Sequence, residues 1–287
     1  MRVLVLGRSG QLAQALLATR PSDTEARAWG RTELDLCDTG RIEAAIQGFG
    51  PDAIINASAY TAVDRAESEP DLARALNVDA VTEIAKAARV LSVPLVHVST
   101  DFVFDGHQSK AYAPEDPCNP LGVYGQTKRE GELALLQAYS AAAIVRTAWV
   151  YRAGSANFMS TMLRLMGDRD ELGVVADQIG APTSADNLAS VLWRVLDRKL
   201  SGVWHYTDAG VASWYDFSCA IYREAKRAGV LNRTVSIKPI STADYPTPAT
   251  RPAFSVLDSC SLRDATEWPA IHWQSALIEQ ISKLKEN

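Results

Sequence analysis

Short apolar runs alternate with amphipathic stretches through the first half of the chain. This alternation predicts a parallel sheet covered by helices on both faces. The predicted strands are Arg2–Leu6, Ala26–Trp29, Ala53–Ala57, Pro94–Ser99 and Ala143–Thr147. The helices predicted between them are Gln11–Ala18, Pro70–Leu91 and Gln126–Ala138. The predicted fold class is therefore α/β, with a Rossmann-like, doubly wound parallel sheet.

After residue 150 the pattern loosens, because prolines divide the chain into shorter elements. The later half still predicts a helix at Asp186–Leu196, a strand at Val203–Tyr206 and a helix at Tyr215–Ala228. We therefore expect an NAD(P)-binding core at residues 1–150. Residues 151–287 are expected to form mainly a smaller, mixed substrate-binding lobe, with some segments returning to the core.

Composition and charge limit the classes of partner. A net charge of −5 and a pI near 5.5 argue against nucleic acid, because phosphate binding needs a basic face. No stretch approaches the roughly 20 apolar residues of a membrane helix, and the apolar run Val3–Leu6 is too short for a signal peptide. The four cysteines lie far apart without a CxxC motif, which favours reduced thiols. We expect a cytoplasmic protein that binds neither nucleic acid nor membrane.

A glycine loop, Gly7-Arg8-Ser9-Gly10-Gln11-Leu12-Ala13, follows the first predicted strand and opens a helix. Gly7 permits a tight turn, and Gly10 lets the backbone approach a pyrophosphate at the helix N-terminus. Ala13 is small enough for close packing of helix on strand. The loop predicts a dinucleotide site whose candidate contacts are Gly7, Ser9, Gly10, Gln11 and Leu12.

The second predicted strand bears on the choice of nicotinamide cofactor. An acidic residue at its end would bind the adenosine ribose and favour NAD. Here the strand ends in Trp29, Gly30 and Arg31, and the Arg31 guanidinium could pair with a 2′-phosphate. The sequence therefore favours NADPH, with NADH as the open alternative.

A candidate catalytic group combines the end of one strand with the start of a helix. Thr100 follows Ser99 at the end of its strand, and Tyr124 and Lys128 share one face of a helix at positions i and i+4. Carbonyl reduction needs a proton donor beside the carbonyl oxygen, and a tyrosine can serve if a nearby ammonium stabilises its anion. Tyrosine and lysine at this spacing also occur by chance. Their order after the glycine loop and Thr100 is what favours catalysis.

With these motifs, the chain resembles the dTDP-4-dehydrorhamnose reductase family, which performs the last step of dTDP-L-rhamnose synthesis. The resemblance runs through nearly the whole length. Its carriers are GRSGQL (7–12), NASAYTAVDRAE (56–67), STDFVFDG (99–106), YGQTK (124–128), RTAWVY (146–151), DQIGAPT (177–183) and YPTPATRPAFSVLD (245–258). The segments DQIGAPT and RPAFSVLD are much narrower signals than the glycine loop.

The resemblance implies roles for individual residues. The catalytic residues it implies are Thr100, Tyr124 and Lys128. The further cofactor contacts it implies are Asp35, Leu36, Asn56, Ala57, Ala59 and Tyr60. The substrate contacts it implies are Thr100, Asp101, Phe102, Trp149, Asn157, Gln178 and Arg251. The implied reaction is NAD(P)H-dependent reduction of the C4 keto group of dTDP-4-dehydro-L-rhamnose, a nucleotide sugar, to dTDP-L-rhamnose.

The chain departs from the family pattern at three positions. Phe102 replaces a common tyrosine, which removes a hydroxyl from the pocket. Ala15 and Asp186 stand where some members carry acidic residues for Mg²⁺ at a dimer interface. Metal-bridged dimerisation is therefore not expected on these residues. Mg²⁺ bound with the diphosphate, its ligands and a homodimer all remain open.

Two other functions compete with this reading. One is a nucleotide-sugar dehydratase or epimerase. Dehydratases that resemble this fold carry Asp-Glu after the threonine, whereas Asp101 is followed here by Phe102, which argues against loss of water. The other is a non-catalytic, NADP-binding regulatory subunit resembling the beta subunit of methionine adenosyltransferase. Such subunits can keep a YGxTK helix. The intact DQIGAPT segment and Thr100 favour the enzyme.

Overall fold

A computed structural model describes residues 1–285 of the chain. The strands are β1 (Arg2–Leu6), β2 (Glu25–Trp29), β3 (Ala53–Asn56), β4 (Leu95–Thr100), β5 (Ala143–Thr147), β6 (Val150–Tyr151), β7 (Glu171–Val175), β8 (Ile179–Gly180), β9 (Thr183–Ser184), β10 (Gly202–His205), β11 (Ala212–Ser213) and β12 (Ser236–Ile240). The helices are α1 (Gln11–Ala18), α2 (Thr39–Phe49), α3 (Val63–Ala66), α4 (Pro70–Arg74), α5 (Ala80–Leu91), α6 (Val123–Ala138), α7 (Phe158–Asp168), α8 (Ala185–Asp197), α9 (Trp214–Ala228), α10 (Cys260–Thr266) and α11 (Trp273–Ser282).

The central sheet has six strands in the order β10-β5-β4-β3-β1-β2, and every pairing is parallel. One face packs on α1 and α8 and the other on α2, α5 and α6, which confirms the predicted doubly wound α/β fold. β2 pairs with one side of β1, and the chain then crosses over so that β3 pairs with the other side. This reversal opens a crevice at the carboxyl edge, where ligands of such sheets bind.

A third apolar cluster lies outside the sheet and joins α7, α9 and α11 with β7 and β12. Its buried members come from residue 151 onward, among them Tyr151, Phe217 and Trp273. The later half also contributes α8 and β10 to the central layers. The division at residue 150 into a cofactor core and a substrate lobe stays a prediction about function.

The predicted elements of the core lie where expected, with two differences. The predicted helix Pro70–Leu91 is divided by a π-helical segment at Ala75–Asp79. α6 begins at Val123, three residues before the predicted start at Gln126, so Tyr124 lies in its first turn. Helices α2, α3, α7, α10 and α11 and the short strands β6, β7, β8, β9, β11 and β12 were not predicted from the sequence.

Two further findings concern composition. Cys37, Cys118, Cys219 and Cys260 are all free thiols. Among the helices of residues 1–285, none is long and apolar enough to cross a membrane.

Candidate active site

A cleft of about 780 Å³ opens at the carboxyl edge of the sheet. Most of the predicted chemical and substrate residues line it: Thr100, Asp101, Phe102, Tyr124, Lys128, Trp149, Asn157 and Arg251. The predicted cofactor residues Ser9, Gly10, Gln11, Leu12, Ala57 and Ala59 line it too. Segments that are far apart in sequence therefore meet in one place, as the resemblance implies.

A second cavity of about 430 Å³ continues the cleft past the glycine loop. It is lined by the predicted residues Gly7, Arg31, Asp35 and Leu36. Both cavities share Ser9, Gly10, Ala57, Ser58, Ala59 and Thr61, so together they form one elongated groove. An elongated groove suits a dinucleotide with a sugar substrate beside its far end.

Three predicted contact residues, Asn56, Tyr60 and Gln178, lie behind the walls of the two cavities. The Tyr60 hydroxyl donates to Glu69 Oε2 at 2.6 Å, and Gln178 Nε2 donates to Thr242 Oγ1 at 3.1 Å. Asn56 bonds to Ser58, which does line the groove. In this structure all three support the walls, and direct ligand contact by them stays a prediction.

The glycine loop has the geometry that a pyrophosphate requires. Gly7 has φ +104°, and a Cβ there would lie 3.0 Å from the carbonyl oxygen of Ala57. Gly10 is the N-cap of α1, and no side chain caps this helix end. The first N–H groups of α1 therefore lack acceptors within the helix, and the dipole favours an anion beside them. The residues present fit the phosphates of a dinucleotide.

The end of β2 faces the second cavity and bears on cofactor choice. Arg31 has a 79% exposed side chain and pairs with Asp35, with 3.0 Å between Nε and Oδ2. An acid that the sequence reading passed over, Glu33, accepts from the Gly30 N–H at 2.8 Å and from Arg8 at 2.5 Å. Both carboxylates thus have partners, and a 2′-phosphate would compete with Asp35 for Arg31.

Tyr124 is positioned by the close approach of α6 to the turn after β4. A Cβ at Gly125 would lie 2.2 Å from the carbonyl oxygen of Phe102, so only glycine allows this contact. The Phe102 ring meets the Tyr124 ring edge-on, with 5.4 Å between centroids. Burial raises the pKa of Tyr124 to about 12. The hydroxyl is therefore neutral and can supply a proton.

Lys128 lies one turn further along α6 and is 1% exposed. Its Nζ donates to the Val98 carbonyl oxygen at 2.8 Å and lies 3.2 Å from Nε2 of His97. Burial lowers the pKa of Lys128 to about 8, although the charge of Glu132 opposes that shift. The buried amine can therefore gain or lose a proton near neutral pH.

Asn56 and Ser58 fix the imidazole of His97. Asn56 Oδ1 accepts from the Ser58 N–H at 3.1 Å and from the Ser58 hydroxyl at 2.5 Å, so its amide nitrogen faces His97 Nδ1 at 3.0 Å. A ring nitrogen that accepts a hydrogen bond leaves the hydrogen of neutral imidazole on the other nitrogen. Nε2 of His97 thus carries the hydrogen and points it at Lys128 Nζ, which can accept it only as a neutral amine. Burial first, and then the charge of Lys128, hold the pKa of His97 well below its usual range.

Trp149 forms part of the cleft wall together with Trp214, which the sequence reading missed. The two indole rings stack with centroids 3.5 Å apart and 7° between planes. Trp149 has φ +48°, a left-handed conformation that is uncommon for a bulky residue. Strained residues of this kind cluster at functional sites. Both indole side chains line the cleft.

Arg251 lines the cleft but is held by an acid. Its guanidinium donates to Asp64 Oδ2 at 2.9 Å and to the Thr247 hydroxyl. Hydrogen bonding to Arg251 lowers the pKa of Asp64. The loop that carries Arg251 is thereby fixed to α3. A diphosphate at Arg251 would bind beside this ion pair.

Asn157 connects the later half of the chain to the glycine loop. It caps α7 by accepting from the Ser160 N–H at 3.1 Å, and its amide donates to Gln11 Oε1 at 3.2 Å. Gln11 in turn donates to the Val150 carbonyl oxygen at 2.9 Å. Both side chains line the cleft, so their first effect is to hold its two sides at a fixed distance.

Residues 1–285 contain no group of three or more His, Cys, Asp or Glu side chains that could hold a metal ion. Asp186, one of the two departures discussed for Mg²⁺, bonds instead to Arg152 at 3.0 Å, to Gln280 at 2.8 Å and to Lys283. Ala15 is fully buried in the sheet core. These contacts give both positions a structural role.

Known proteins match the chain over nearly its whole length. The sequence model of the RmlD substrate binding domain family matches residues 1–286. A curated dTDP-4-dehydrorhamnose reductase of Aggregatibacter actinomycetemcomitans is 42% identical over 284 residues, covering 96% of this chain and 97% of that protein. A reductase of the same name from Sinorhizobium fredii is 43% identical over 264 residues, covering 90% and 88%. The chain belongs to the dTDP-4-dehydrorhamnose reductase family.

Solved structures of this reductase family agree with the fold. The Clostridium acetobutylicum dTDP-4-dehydrorhamnose reductase has a TM-score of 0.94 at 36% identity, covering 99% of this chain and 100% of that one. The Bacillus anthracis reductase, solved in complex with NADP, has a TM-score of 0.92 at 31% identity, covering 98% and 99%. The family resemblance predicted from the motifs is therefore confirmed.

Four residues beside the groove were not predicted from the sequence: Glu33, His97, Trp214 and Asp64. His97 left a signal, since it is a polar residue between the apolar residues Val96 and Val98 of a buried strand. Trp214 left none, because its role depends on Trp149, a partner distant in sequence. Asp64 lies within the segment 56–67 that carries the resemblance, but its bond to Arg251 depends on the fold.

Proposed function

We propose that this protein is a dTDP-4-dehydrorhamnose reductase that uses NADPH to reduce the C4 keto group of dTDP-4-dehydro-L-rhamnose. The product, dTDP-L-rhamnose, serves the synthesis of cell-surface polysaccharides. One observation carries the proposal. The partly exposed Tyr124 and the buried Lys128 lie beside Thr100 in a single cleft, in a chain that matches curated reductases of this name over nearly its whole length.

The groove past the glycine loop supports the cofactor assignment. The uncapped N-terminus of α1 would hold the pyrophosphate, with Gly7 and Gly10 allowing close approach. Arg31 would face the 2′-phosphate in competition with Asp35. Asp35 and Leu36 would lie beside the adenine and Ala57 and Ala59 along the groove wall. A bound nicotinamide would supply the hydride.

The proton would come from Tyr124. Its hydroxyl is neutral at the pH of the cell because burial raises its pKa to about 12. A neighbouring ammonium at Lys128 would stabilise the tyrosinate that remains after proton transfer. Thr100 would hydrogen-bond the same carbonyl oxygen and stabilise the negative charge that develops on it.

The far end of the cleft would hold the sugar nucleotide. The Trp149–Trp214 pair lines the cleft and would contribute aromatic surface against which a sugar can pack. Arg251 would donate to the diphosphate, a geometry that guanidinium groups match well. Asp101, Phe102 and Asn157 would complete the wall, and Gln178 would act from behind it.

The direct experiment uses purified protein, the epimerised dTDP-4-keto sugar and either NADPH or NADH. We expect oxidation of the reduced cofactor, which is measured as a loss of its absorbance. Mass spectrometry and NMR should identify the product as dTDP-L-rhamnose. NADPH should be the better cofactor. Absence of oxidation with both cofactors, with NADPH still bound, would refute the reductase and favour a regulatory subunit.

A further inference from the structure

Thr100 has a hydroxyl whose hydrogen-bond capacity is almost used up. Its Oγ1 accepts from the Phe102 N–H at 3.2 Å and lies 3.0 Å from Asp101 Oδ1. A hydroxyl has one hydrogen and two acceptor lone pairs. If Asp101 is ionised, it can only accept, and it takes the single hydrogen of Thr100. Thr100 then has no hydrogen left for a substrate carbonyl.

Asp101 lies in surroundings that disfavour its charge. It is 2% exposed, and its Oδ2 is buried without a hydrogen-bond partner. In the described part of the chain, none of the ion pairs includes Asp101. Its titratable neighbour is Tyr124, which is neutral, and its polar neighbours are Thr100 and Ser255. An unpaired buried carboxylate is costly, whereas a neutral carboxyl group is much less so.

We propose that Asp101 works as a neutral carboxylic acid that donates its hydrogen to Thr100 Oγ1, so that the Thr100 hydrogen points at the substrate carbonyl. The two lone pairs of Thr100 Oγ1 then accept from Asp101 and from the Phe102 N–H, and its hydrogen is donated to the substrate. The hydrogen-bonding capacity of the hydroxyl is thereby fully used. Asp101 keeps its proton throughout turnover. It is a positioning residue that acts through Thr100, and this role rests on the reductase function proposed above.

The charge state of Asp101 predicts the direction in which kcat changes with pH. Burial raises the pKa of Asp101 to about 6, against the opposing effect of the Ser255 and Thr100 hydroxyls and of the backbone N–H groups of Asp101 and Phe102. Substrate in the cleft would exclude water and favour the neutral acid further. The working form exists below the pKa, so kcat should fall as pH rises through the pKa of Asp101 in the complex. A working carboxylate would give the opposite limb, with kcat falling as pH is lowered.

The other titrating groups of the site must be separated from Asp101. Lys128 and Tyr124 lie on α6 and His97 on β4, and Lys128 adds an alkaline limb of its own as it loses its proton. Asp101→Asn distinguishes these limbs, because an amide can donate to Thr100 at every pH and does not titrate. Asp101→Leu has a similar volume and donates nothing.

The test is a set of pH profiles of kcat and kcat/KM from about pH 5 to 9 for the parent enzyme, Asp101→Asn, Asp101→Leu, Thr100→Val and the double variant Asp101→Leu/Thr100→Val. We expect Asp101→Asn to keep substantial kcat. Its pH profile should lack the fall in kcat caused by ionisation of Asp101 and should keep the fall at higher pH caused by deprotonation of Lys128. Asp101→Leu should lower kcat by about 10-fold to 100-fold in the parent, because the Thr100 hydroxyl loses the hydrogen bond that orients it, and a loss of this size is expected for one buried hydrogen bond left unmade. In the Thr100→Val background the same change should have little further effect, because both act on one interaction.

Three results would overturn the proposal: a parent kcat that falls as pH is lowered through this range, an Asp101→Asn profile that coincides with the parent, or additive losses in the double variant. A second measurement is independent of turnover. The ¹³Cγ resonance of Asp101, assigned by its loss in Asp101→Asn, should titrate well above the surface aspartates in the ligand-free protein. If the protein reduces no sugar, the proposed function fails, and an Asp101 that titrates like a surface aspartate would overturn its neutral state separately.

Discussion

Nζ of Lys128 and Nε2 of His97 lie 3.2 Å apart, although the two residues are separated by 31 positions along the chain. The His97 hydrogen points at the lysine, so Lys128 best meets it as a neutral amine. In the ligand-free protein the surroundings of Lys128 therefore disfavour the ammonium form, which is the form proposed to stabilise the Tyr124 anion.

This relationship predicts how stability depends on pH. Lys128 titrates near 10.5 in the unfolded chain and at about 8 in the folded protein, because burial disfavours the ammonium. Between these pH values the unfolded chain binds more protons, so the free energy of unfolding should rise with pH. Below pH 8 the charged lysine costs on the order of 3 kcal/mol. Lys128→Met should remove this cost and raise the unfolding midpoint at pH 7, while reduction is lost.

Urea unfolding of the ligand-free protein at several pH values measures this effect. Lys86→Met is a matched control, since Lys86 is 43% exposed and pairs with Glu83 on the surface. The control should leave the pH dependence unchanged. A Lys128→Met protein less stable than the parent at pH 7 would show that the lysine is not strained by burial.

Tyr124→Phe should lower kcat by about 10² to 10⁴, because the proton donor is removed. The ring and its edge contact with Phe102 remain, so the fold and the affinity for NADPH should stay nearly the same. Steady-state turnover and fluorescence titration with NADPH measure the two quantities. Turnover equal to that of the parent would exclude Tyr124 as the proton donor.

Trp214→Leu should raise KM for the nucleotide sugar by about threefold to tenfold, the range expected for one aromatic pair. The change leaves Trp149 without its stacking partner, so the wall that supports the sugar loses its shape. Trp204→Leu is the control, because Trp204 lies on β10 outside the cleft. An unchanged KM in the Trp214 variant would argue against the stack as a sugar surface.

Arg251→Met should weaken binding of the nucleotide sugar by about 10-fold to 100-fold, as expected for a lost charge-assisted hydrogen bond. NADPH affinity should not change, because Arg251 lines the cleft and not the second cavity. Arg233→Met removes a guanidinium that pairs with Asp170 on the surface and serves as the control. If dTDP and the full substrate bind to Arg251→Met as to the parent, the arginine does not contact the diphosphate.

The sequence predicted the core well because its signals are local. The apolar run Arg2–Leu6 and the following helix Gln11–Ala18 have the bounds predicted from it. Helix α2 was not predicted, because only Ile42 and Ile46 are buried and two glycines weaken its helical pattern. α7 escaped although Met159, Met162 and Met166 have helical spacing, since its Asn157–Ser160 cap is not the usual Ser/Thr with Glu.

The site was predictable as far as motifs carry it. Thr100, Tyr124 and Lys128 come together in one cleft, as their motifs indicate. The neighbours that tune them could not be read in the same way. The bond between Asn56 and His97 and the stack of Trp149 on Trp214 depend on how sheet and helices pack, which no short segment encodes.

The bare Cα of Gly125 has a consequence for how this site can change. Any side chain there would press against the Phe102 carbonyl and tilt α6 away from β4, carrying Tyr124 and Lys128 with it. The alignment of Tyr124 with Thr100 thus depends on the absence of a Cβ atom at position 125. Substitutions along the cleft can adapt the enzyme to another sugar, whereas a single methyl group at position 125 would move the donor away from every sugar alike.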